Sequence, residues 1–289
     1  MEWFEGIILG LVQGLTEFLP VSSSGHLMIA REILGIELPD DDAFLSFEVM
    51  VHAATVLATI VVFRRQIWQL LCGLFKFKYN EETDYILKIC VSMIPVFIVG
   101  MFFKDEVTAL FSGLQIVGFS LLVTAVLLFL SDKLAAKGDK QCLAERKGYR
   151  NGISYLQAFV VGLGQAIAVT PGLSRSGTTI STGLLCGVKR SDMAQFSFLM
   201  VLAPILGEAF LDLLDGGFGD SAAAIGSLPL VLGFVSAFIS GLFACEVMIA
   251  LVKKASLKWF ALYCAIVGVA ILAFIAYVMY KGAAVLPGM

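Results

Sequence analysis

Apolar runs long enough to cross a bilayer recur along this chain, separated by short polar stretches. A hydrocarbon core takes about 20 residues of helix. Six stretches meet that length: roughly 46–63, 85–103, 113–131, 193–213, 227–251 and 258–280. Two further apolar regions, about 3–36 and 152–190, are each interrupted near the middle by a polar segment rich in Ser, Gly and Pro. The interruptions are Leu19-Pro20-Val21-Ser22-Ser23-Ser24-Gly25-His26 and Pro171-Gly172-Leu173-Ser174-Arg175-Ser176-Gly177-Thr178. Non-helical backbone at membrane depth survives only where protein or a wet cavity satisfies its polar groups. The pattern therefore predicts two re-entrant hairpins, each of two half-helices, beside six full spans.

The two interrupted regions also resemble each other. Gly10-Leu11-Val12-Gln13 matches Gly162-Leu163-Gly164-Gln165 at an offset of 152. The same offset lays Ser22, Ser24 and Gly25 on Ser174, Ser176 and Gly177, with Ser23 opposite Arg175. Ser46-Phe47 and Ser197-Phe198 correspond at nearly the same shift. Each half then holds one hairpin and three spans, and three crossings turn the second half upside down relative to the first. Paired interruptions in inverted halves point to a binding site near the midplane. The expected fold is an all-α polytopic membrane protein built as an inverted repeat, each half one re-entrant helical hairpin plus three transmembrane helices. It forms a single membrane domain over 1–289, with repeat 1 about 1–131, a cytoplasmic basic loop 132–151, and repeat 2 about 152–281.

Charge placement orients this arrangement. With the N-terminus outside, segments 64–84, 132–151, 189–192 and 252–258 face the cytoplasm and carry fifteen of the 20 Lys and Arg residues. Arg31, Lys104 and Lys281 face outward, together with Asp40, Asp41, Asp42, Asp215 and Asp220. This is the positive-inside distribution. The first hairpin then enters from outside and the second from the cytoplasm, so their tips can meet.

Composition agrees with the pattern. Of 289 residues, 59% are hydrophobic and 15% charged, with a mean hydropathy of +0.91. Soluble domains run at roughly 45–50% apolar and about 25% charged. The six cysteines (Cys72, Cys90, Cys142, Cys186, Cys245 and Cys264) sit mostly in apolar runs, and none shows metal-ligand spacing. They read as buried apolar thiols. Glu2 and Glu5 stand where a cleavable signal carries basic residues, so residue 1 is expected to begin the mature fold. No nucleic-acid partner is expected, and a homodimer is left open.

Within the interruptions, Arg175 is the most informative residue. A guanidinium in an apolar hairpin is costly without a partner, and its planar donor fork suits phosphate. Ser174, Ser176, Thr178 and Thr179 surround it with hydroxyls, Gly177 permits close backbone approach, and a half-helix starting near Ser176 would add free N–H groups. In the first hairpin, Gln13 and Glu17 share a helix face. Ser23 and His26, three apart, can bring a hydroxyl and an imidazole together. Such a pair suits nucleophilic attack with the imidazole taking the proton, although a Ser-rich turn before a helix is also an ordinary N-cap. Glu48 and His52, one turn apart, either line the same cavity or form a structural pair. Glu208 and Glu246 have no assigned role, and the aromatics of 258–280 read as interface and packing residues. One Arg, many hydroxyls, two helix N-termini and a Ser/His/Glu group suit phosphoryl chemistry on an amphiphile with a phosphorylated head.

These residues resemble a known family. Gly14-Leu15-Thr16-Glu17-Phe18-Leu19-Pro20-Val21-Ser22-Ser23-Ser24-Gly25-His26 and Pro171-Gly172-Leu173-Ser174-Arg175-Ser176-Gly177-Thr178-Thr179 are similar to the two signatures of the undecaprenyl-diphosphate phosphatase (bacitracin-resistance) family. Phe47-Glu48-Val49-Met50-Val51-His52 resembles its next segment, and the similarity covers essentially the whole chain. Gln13 stands at a position where the family admits Glu or Gln, and Ala54 where Gly is frequent. The resemblance implies hydrolysis of undecaprenyl diphosphate to undecaprenyl phosphate and inorganic phosphate in a bacterial inner membrane. That reaction recycles the carrier for cell-wall polymers and confers bacitracin resistance. It further implies Ser23 as nucleophile, His26 as acid/base, and Glu17 orienting His26 or holding a divalent cation, Mg²⁺ or Ca²⁺. Arg175 would clamp the diphosphate of the polyprenyl lipid. Gln13, Ser22, Ser24, Ser174, Ser176, Gly177 and Thr178 would line its site, opening to the outer side among membrane lipids. Water activated by His26 or Glu17 is the alternative nucleophile.

Two other functions use similar residues. Phosphatidic-acid-type lipid phosphatases need a second histidine in a motif this chain lacks, since it holds only His26 and His52. A transporter or flippase of undecaprenyl phosphate would use the same inverted-repeat cavity, and phosphate release separates it from an enzyme.

Overall fold

A computed structural model describes residues 1–36, 41–103, 106–107, 113–138, 150–214, 225–254 and 256–285. Twelve α-helices are described. The first pair is α1 (Trp3–Thr16) and α2 (Ser23–Leu34), followed by α3 (Asp41–Val62), α4 (Arg64–Leu74), α5 (Glu81–Phe102) and α6 (Leu114–Gly138). The second set runs α7 (Tyr155–Ile167), α8 (Arg175–Leu185), α9 (Arg190–Met200), α10 (Leu202–Leu214), α11 (Ser227–Lys254) and α12 (Lys258–Val285). A 3₁₀ turn, Arg150–Gly152, precedes α7.

Local chemistry explains the ends of the helices. Ser22 caps α2 by accepting the Gly25 N–H, and Gly35 closes it in the left-handed conformation, φ 63°. Ser154 and Gln157 form a capping box at the start of α7. Ser174 caps α8, accepting from the Gly177 N–H. Asn80 does the same for α5 through the Thr83 N–H. Both interrupted regions are therefore helix–turn–helix units, as the polar segments foretell.

Among the described residues, five helices are long and apolar enough to cross a membrane: 43–62, 81–102, 114–134, 227–251 and 258–281. Five of the six expected spans thus match. The sixth, 193–213, is instead two helices that meet at Val201. Pro204 supplies the reason: it has no N–H to bond the Met200 carbonyl, and its ring crowds that turn. Segment 64–84, expected to face the cytoplasm, contains α4, and α6 carries on into the basic loop as far as Gly138. Residues 139–149 of that loop, Cys142 among them, lie outside the described residues, as do Asp40, Lys104, Asp215, Asp220 and the side chain of Glu208.

Helix packing exchanges partners between the halves. α1 lies along α11, while α7 lies along α5, and α6 pairs with α12. The α1–α11 contact is backbone to backbone, because a Cβ on Gly6 or Gly10 would strike the carbonyl oxygens of Pro229 or Gly233. One apolar cluster, including Phe18, Leu121, Ile180, Phe196 and Phe198, lies beneath both polar turns. Phe18 and Phe198 meet edge to face at 6.0 Å. A second cluster, around Leu9, Leu27, Phe47 and Val51, joins α1, α2, α3 and α11. Large apolar side chains such as Phe243, Trp259, Ile266 and Phe274 stay exposed on the long helices, the surface hydrocarbon would cover.

The cysteines divide. Cys245 and Cys264 are buried as expected, but Cys72 and Cys90 are exposed. Cys90 lies on the membrane-length α5, where an apolar thiol loses little against hydrocarbon, and Cys72 lies on the short α4, so an apolar run does not by itself bury a thiol.

Candidate active site

The two polar turns meet tip to tip. Ser176 Oγ donates to the Leu19 carbonyl at 3.2 Å. A Cβ on Gly25 would lie 3.1 Å from Gly172 Cα, and one on Gly177 3.3 Å from Pro20. Ser174 N–H donates to Thr124 Oγ1 at 3.1 Å, which fixes the second turn to α6. Both α2 and α8 thus begin at this junction. Their first N–H groups, at Ser23 and Ser24 and at Arg175 and Ser176, have no carbonyl a turn earlier to accept them. Two helix N-termini at one place favour an anion.

Glu17, at the C-terminal end of α1, is the centre of the polar network. Its Oε2 accepts from Gln13 Nε2 at 2.9 Å and from Ser23 Oγ at 2.5 Å. His52 Nε2, on α3, lies 3.2 Å from the same oxygen. His52 Nδ1–H donates to the Glu48 carbonyl at 2.8 Å, which fixes the imidazole against the carboxylate. Arg175 Nη2 stands 4.0 Å from Glu17 Oε1 and keeps 27% of its side chain exposed. One carboxylate therefore faces a hydroxyl, an imidazole, an amide and a guanidinium from four helices.

His26 belongs to a separate arrangement. Its Nδ1–H donates to the Ser22 carbonyl at 2.7 Å. Its Nε2 then accepts from Tyr263 Oη, also at 2.7 Å, with the two rings stacked 5.6 Å apart. The expected approach of Ser23 to His26 is not what the fold produces: the Ser23 hydroxyl turns to Glu17, and both His26 nitrogens are taken by other groups. Glu17, likewise, faces His52 and not His26. Ser22 holds a positive φ of 71°, rare for a non-glycine residue, and this strained backbone aims its carbonyl at His26.

The remaining expected residues can be placed one by one. Ser22, Ser23, Ser174, Ser176, Thr178 and Gln13 are all buried, while Ser24 is half-buried on the first turn of α2. Glu48 is buried and touches His52 through its backbone carbonyl. Glu246 is exposed on α11, away from the network. A narrow cavity of about 20 Å³ adjoins Glu17 and Arg175, lined also by Thr55, Thr59, Gln165, Ser176, Thr179 and Ser197. Sequence reading missed Tyr263, which it grouped with packing aromatics, and Gln165, which it used only as a repeat marker. The offset pairing Gln13 with Gln165 was the available signal for the second; nothing short of the packing of α12 pointed to the first.

Comparison with known proteins identifies the chain. A sequence profile described as Bacitracin resistance protein BacA matches residues 6–270. The chain belongs to the BacA family. An undecaprenyl-diphosphatase of Bacteroides fragilis is 53% identical over 271 residues, 93% of this chain and 97% of that protein. Proteins of the same name from Methanococcus vannielii and Oceanobacillus iheyensis are 39% and 36% identical, covering 90% and 93% of this chain and 95% of each relative.

The family resemblance implies a divalent cation, and the donor set bears on it. Among the described residues, no group of three or more His, Cys, Asp or Glu side chains converges as a metal cage. Mg²⁺ commonly binds through one or two carboxylates together with substrate phosphates and water. Glu17 beside an anion-receptive junction fits that mode, in which the ion is shared with the diphosphate.

Proposed function

We propose that this chain is an integral membrane phosphatase that hydrolyses undecaprenyl diphosphate to undecaprenyl phosphate and inorganic phosphate. It thereby returns the lipid carrier to cell-wall synthesis and confers bacitracin resistance. The observation that carries the reading is the Ser23–Glu17 contact of 2.5 Å beside Arg175, at the junction of two helix N-termini. A hydroxyl donating to a buried carboxylate is a nucleophile with its base in place. The relatives' shared name supplies the substrate.

On this reading Arg175 and the N–H groups at the starts of α2 and α8 hold the diphosphate, where charge stabilisation dominates phosphoryl transfer. Gln13 and His52 fix Glu17. Ser23 Oγ attacks the terminal phosphorus as its proton passes to Glu17, and the bond to the bridging oxygen breaks. The lipid phosphate leaves, and water then releases phosphate from Ser23. His26, with Nε2 accepting from Tyr263 Oη, exchanges a proton with the substrate oxygens through that hydroxyl; it does not serve Ser23. Ser22, Ser24, Ser174, Ser176, Gly177 and Thr178 shape the cradle. A cation bound by Glu17 and the diphosphate would neutralise phosphate charge.

The same reading extends to the architecture. The exchange of partners, α1 on α11 and α7 on α5, supports an inverted repeat with two re-entrant hairpins, divided at about 1–131 and 152–281 as one membrane domain. The basic residues flanking the spans support a bacterial inner membrane with the N-terminus and the site facing outward.

Phosphate release from undecaprenyl diphosphate by the purified protein in detergent tests this. Wild type should release phosphate, Arg175→Ala should lose about 10²–10³-fold in kcat, and EDTA should abolish turnover until Mg²⁺ or Ca²⁺ is restored. A folded wild type that releases none with either ion present would refute the enzyme. Undiminished release in EDTA would remove the cation from the account.

A further inference from the structure

Gln165 is 1% exposed, and neither its amide oxygen nor its amide nitrogen has a hydrogen-bond partner among the described residues. Buried polar groups are nearly always satisfied, and exceptions point to a bound group. The sequence shows why this amide is left over. Its counterpart Gln13 bonds Glu17 one turn later, whereas the position one turn after Gln165 is Val169. The second half keeps the amide without the acid. Gln165 lines the narrow cavity that also reaches Glu17 and Arg175.

The ligand can be identified by size and by hydrogen bonding. The amide offers both a donor and an acceptor, so its partner must accept and donate in return. A cavity of about 20 Å³ admits one water, for which roughly 10–15 Å³ is enough, and excludes a phosphate group. Thr55 directs its hydroxyl hydrogen to the His52 carbonyl, Thr179 directs its own to the Arg175 carbonyl, and Ser197 donates to Thr179 Oγ1, so Thr55 and Ser197 keep oxygen lone pairs for a further neighbour. A water there has the two to four partners it needs.

We infer that Gln165 anchors the water consumed by the hydrolysis, held in the cavity between α3, α7, α8 and α9 beside Glu17 and Arg175. This rests on the phosphatase reading of the site. The water oxygen bonds to phosphorus, and its proton goes to Glu17. The bond from phosphorus to the departing oxygen breaks, and the electron pair leaves on that oxygen. When Ser23 is the departing group, Glu17 has already passed the serine's proton to the leaving lipid phosphate, so it is again a carboxylate when the water attacks, and Ser23 takes up the water's proton from it. Gln165 itself is a positioning residue, since it acts through the water.

The test compares wild type, Gln165→Leu, Gln165→Met and Gln165→Ala, each shown to be folded by its thermal melt in detergent. Gln165→Leu and Gln165→Met keep the volume and drop the hydrogen bonds. Their kcat should fall on the order of 10²-fold, the usual effect of a misplaced reactant, with KM within about twofold of wild type. Gln165→Ala enlarges the cavity. In methanol–water mixtures it should form more methyl phosphate, relative to phosphate, than wild type does. Wild-type kcat in folded Gln165→Leu or Gln165→Met would overturn the proposal. So would a raised KM with kcat retained, which makes Gln165 a diphosphate ligand, or a methanol partition unchanged in Gln165→Ala. Failure of wild type itself to release phosphate would instead refute the phosphatase reading.

Discussion

A single oxygen, Glu17 Oε2, receives the Gln13 amide and the Ser23 hydroxyl and lies against His52. In the sequence, Gln13 and Glu17 were visible as helix neighbours, and Ser23 and His26 as a hydroxyl and imidazole at the next helix start. Their partners were not. Helix spacing fixes which side chains share a face but not where a rotamer turns, and His26 folds back onto the Ser22 carbonyl one turn before it. Tyr263 was beyond sequence reading altogether, because it lies 237 residues away and arrives only through the packing of α12. Tyr263→Phe should keep the stacked ring and lose the donor to Nε2. We expect kcat to fall about five- to tenfold, the equivalent of a hydrogen bond of about 1 kcal/mol, with KM little changed. Unchanged kcat over the full pH range would remove Tyr263 from the site.

At the scale of elements, boundaries were the legible part. The Ser-rich turn before α2 is the N-cap its composition announces, and both polar turns fall where Pro, Ser and Gly cluster, whereas the caps at Ser174, Gly35 and Ser154 emerged from the structure. The apolar run 193–213 concealed a break, because hydropathy counts Pro204 as one residue in twenty while backbone hydrogen bonding counts it as a missing donor. Helix pairing was legible only in part. Gly6, Gly10 and Gly14 recur every fourth residue, a stripe that lets α1 touch α11, but the partner helix comes from the other half of the chain. Gly10→Val should force α1 off Gly233 and destabilise the protein by about 1–3 kcal/mol, the usual range for overpacking, seen as a lower thermal midpoint in detergent. Activity at low temperature should survive, since Gly10 touches no site residue. A midpoint equal to wild type would mean that the α1–α11 contact is loose.

Over the whole molecule, the inverted repeat and the orientation are separate proposals. On the proposed topology, three crossings per half reverse the second hairpin and bring the two turns in from opposite sides, an arrangement with which the Ser176–Leu19 contact agrees. Cys72 offers a check on the orientation, because it is exposed on α4, the helix that begins with Arg64 and Arg65. In a variant retaining Cys72 as its sole cysteine, a membrane-impermeant maleimide should label it only after the cells are permeabilised. Labelling in intact cells would turn the molecule over and place the site on the cytoplasmic face.

In the proposed mechanism Glu17 is the base for Ser23 in hydrolysis of undecaprenyl diphosphate. Glu17→Gln keeps the shape and the hydrogen bonds available to a carbonyl oxygen while removing the base. Phosphate release measured side by side should fall in Glu17→Gln by about 10²–10⁴-fold, the range attributed to general-base catalysis, with the protein still folded. Release within a few-fold of wild type would contradict the account and return the base to His26.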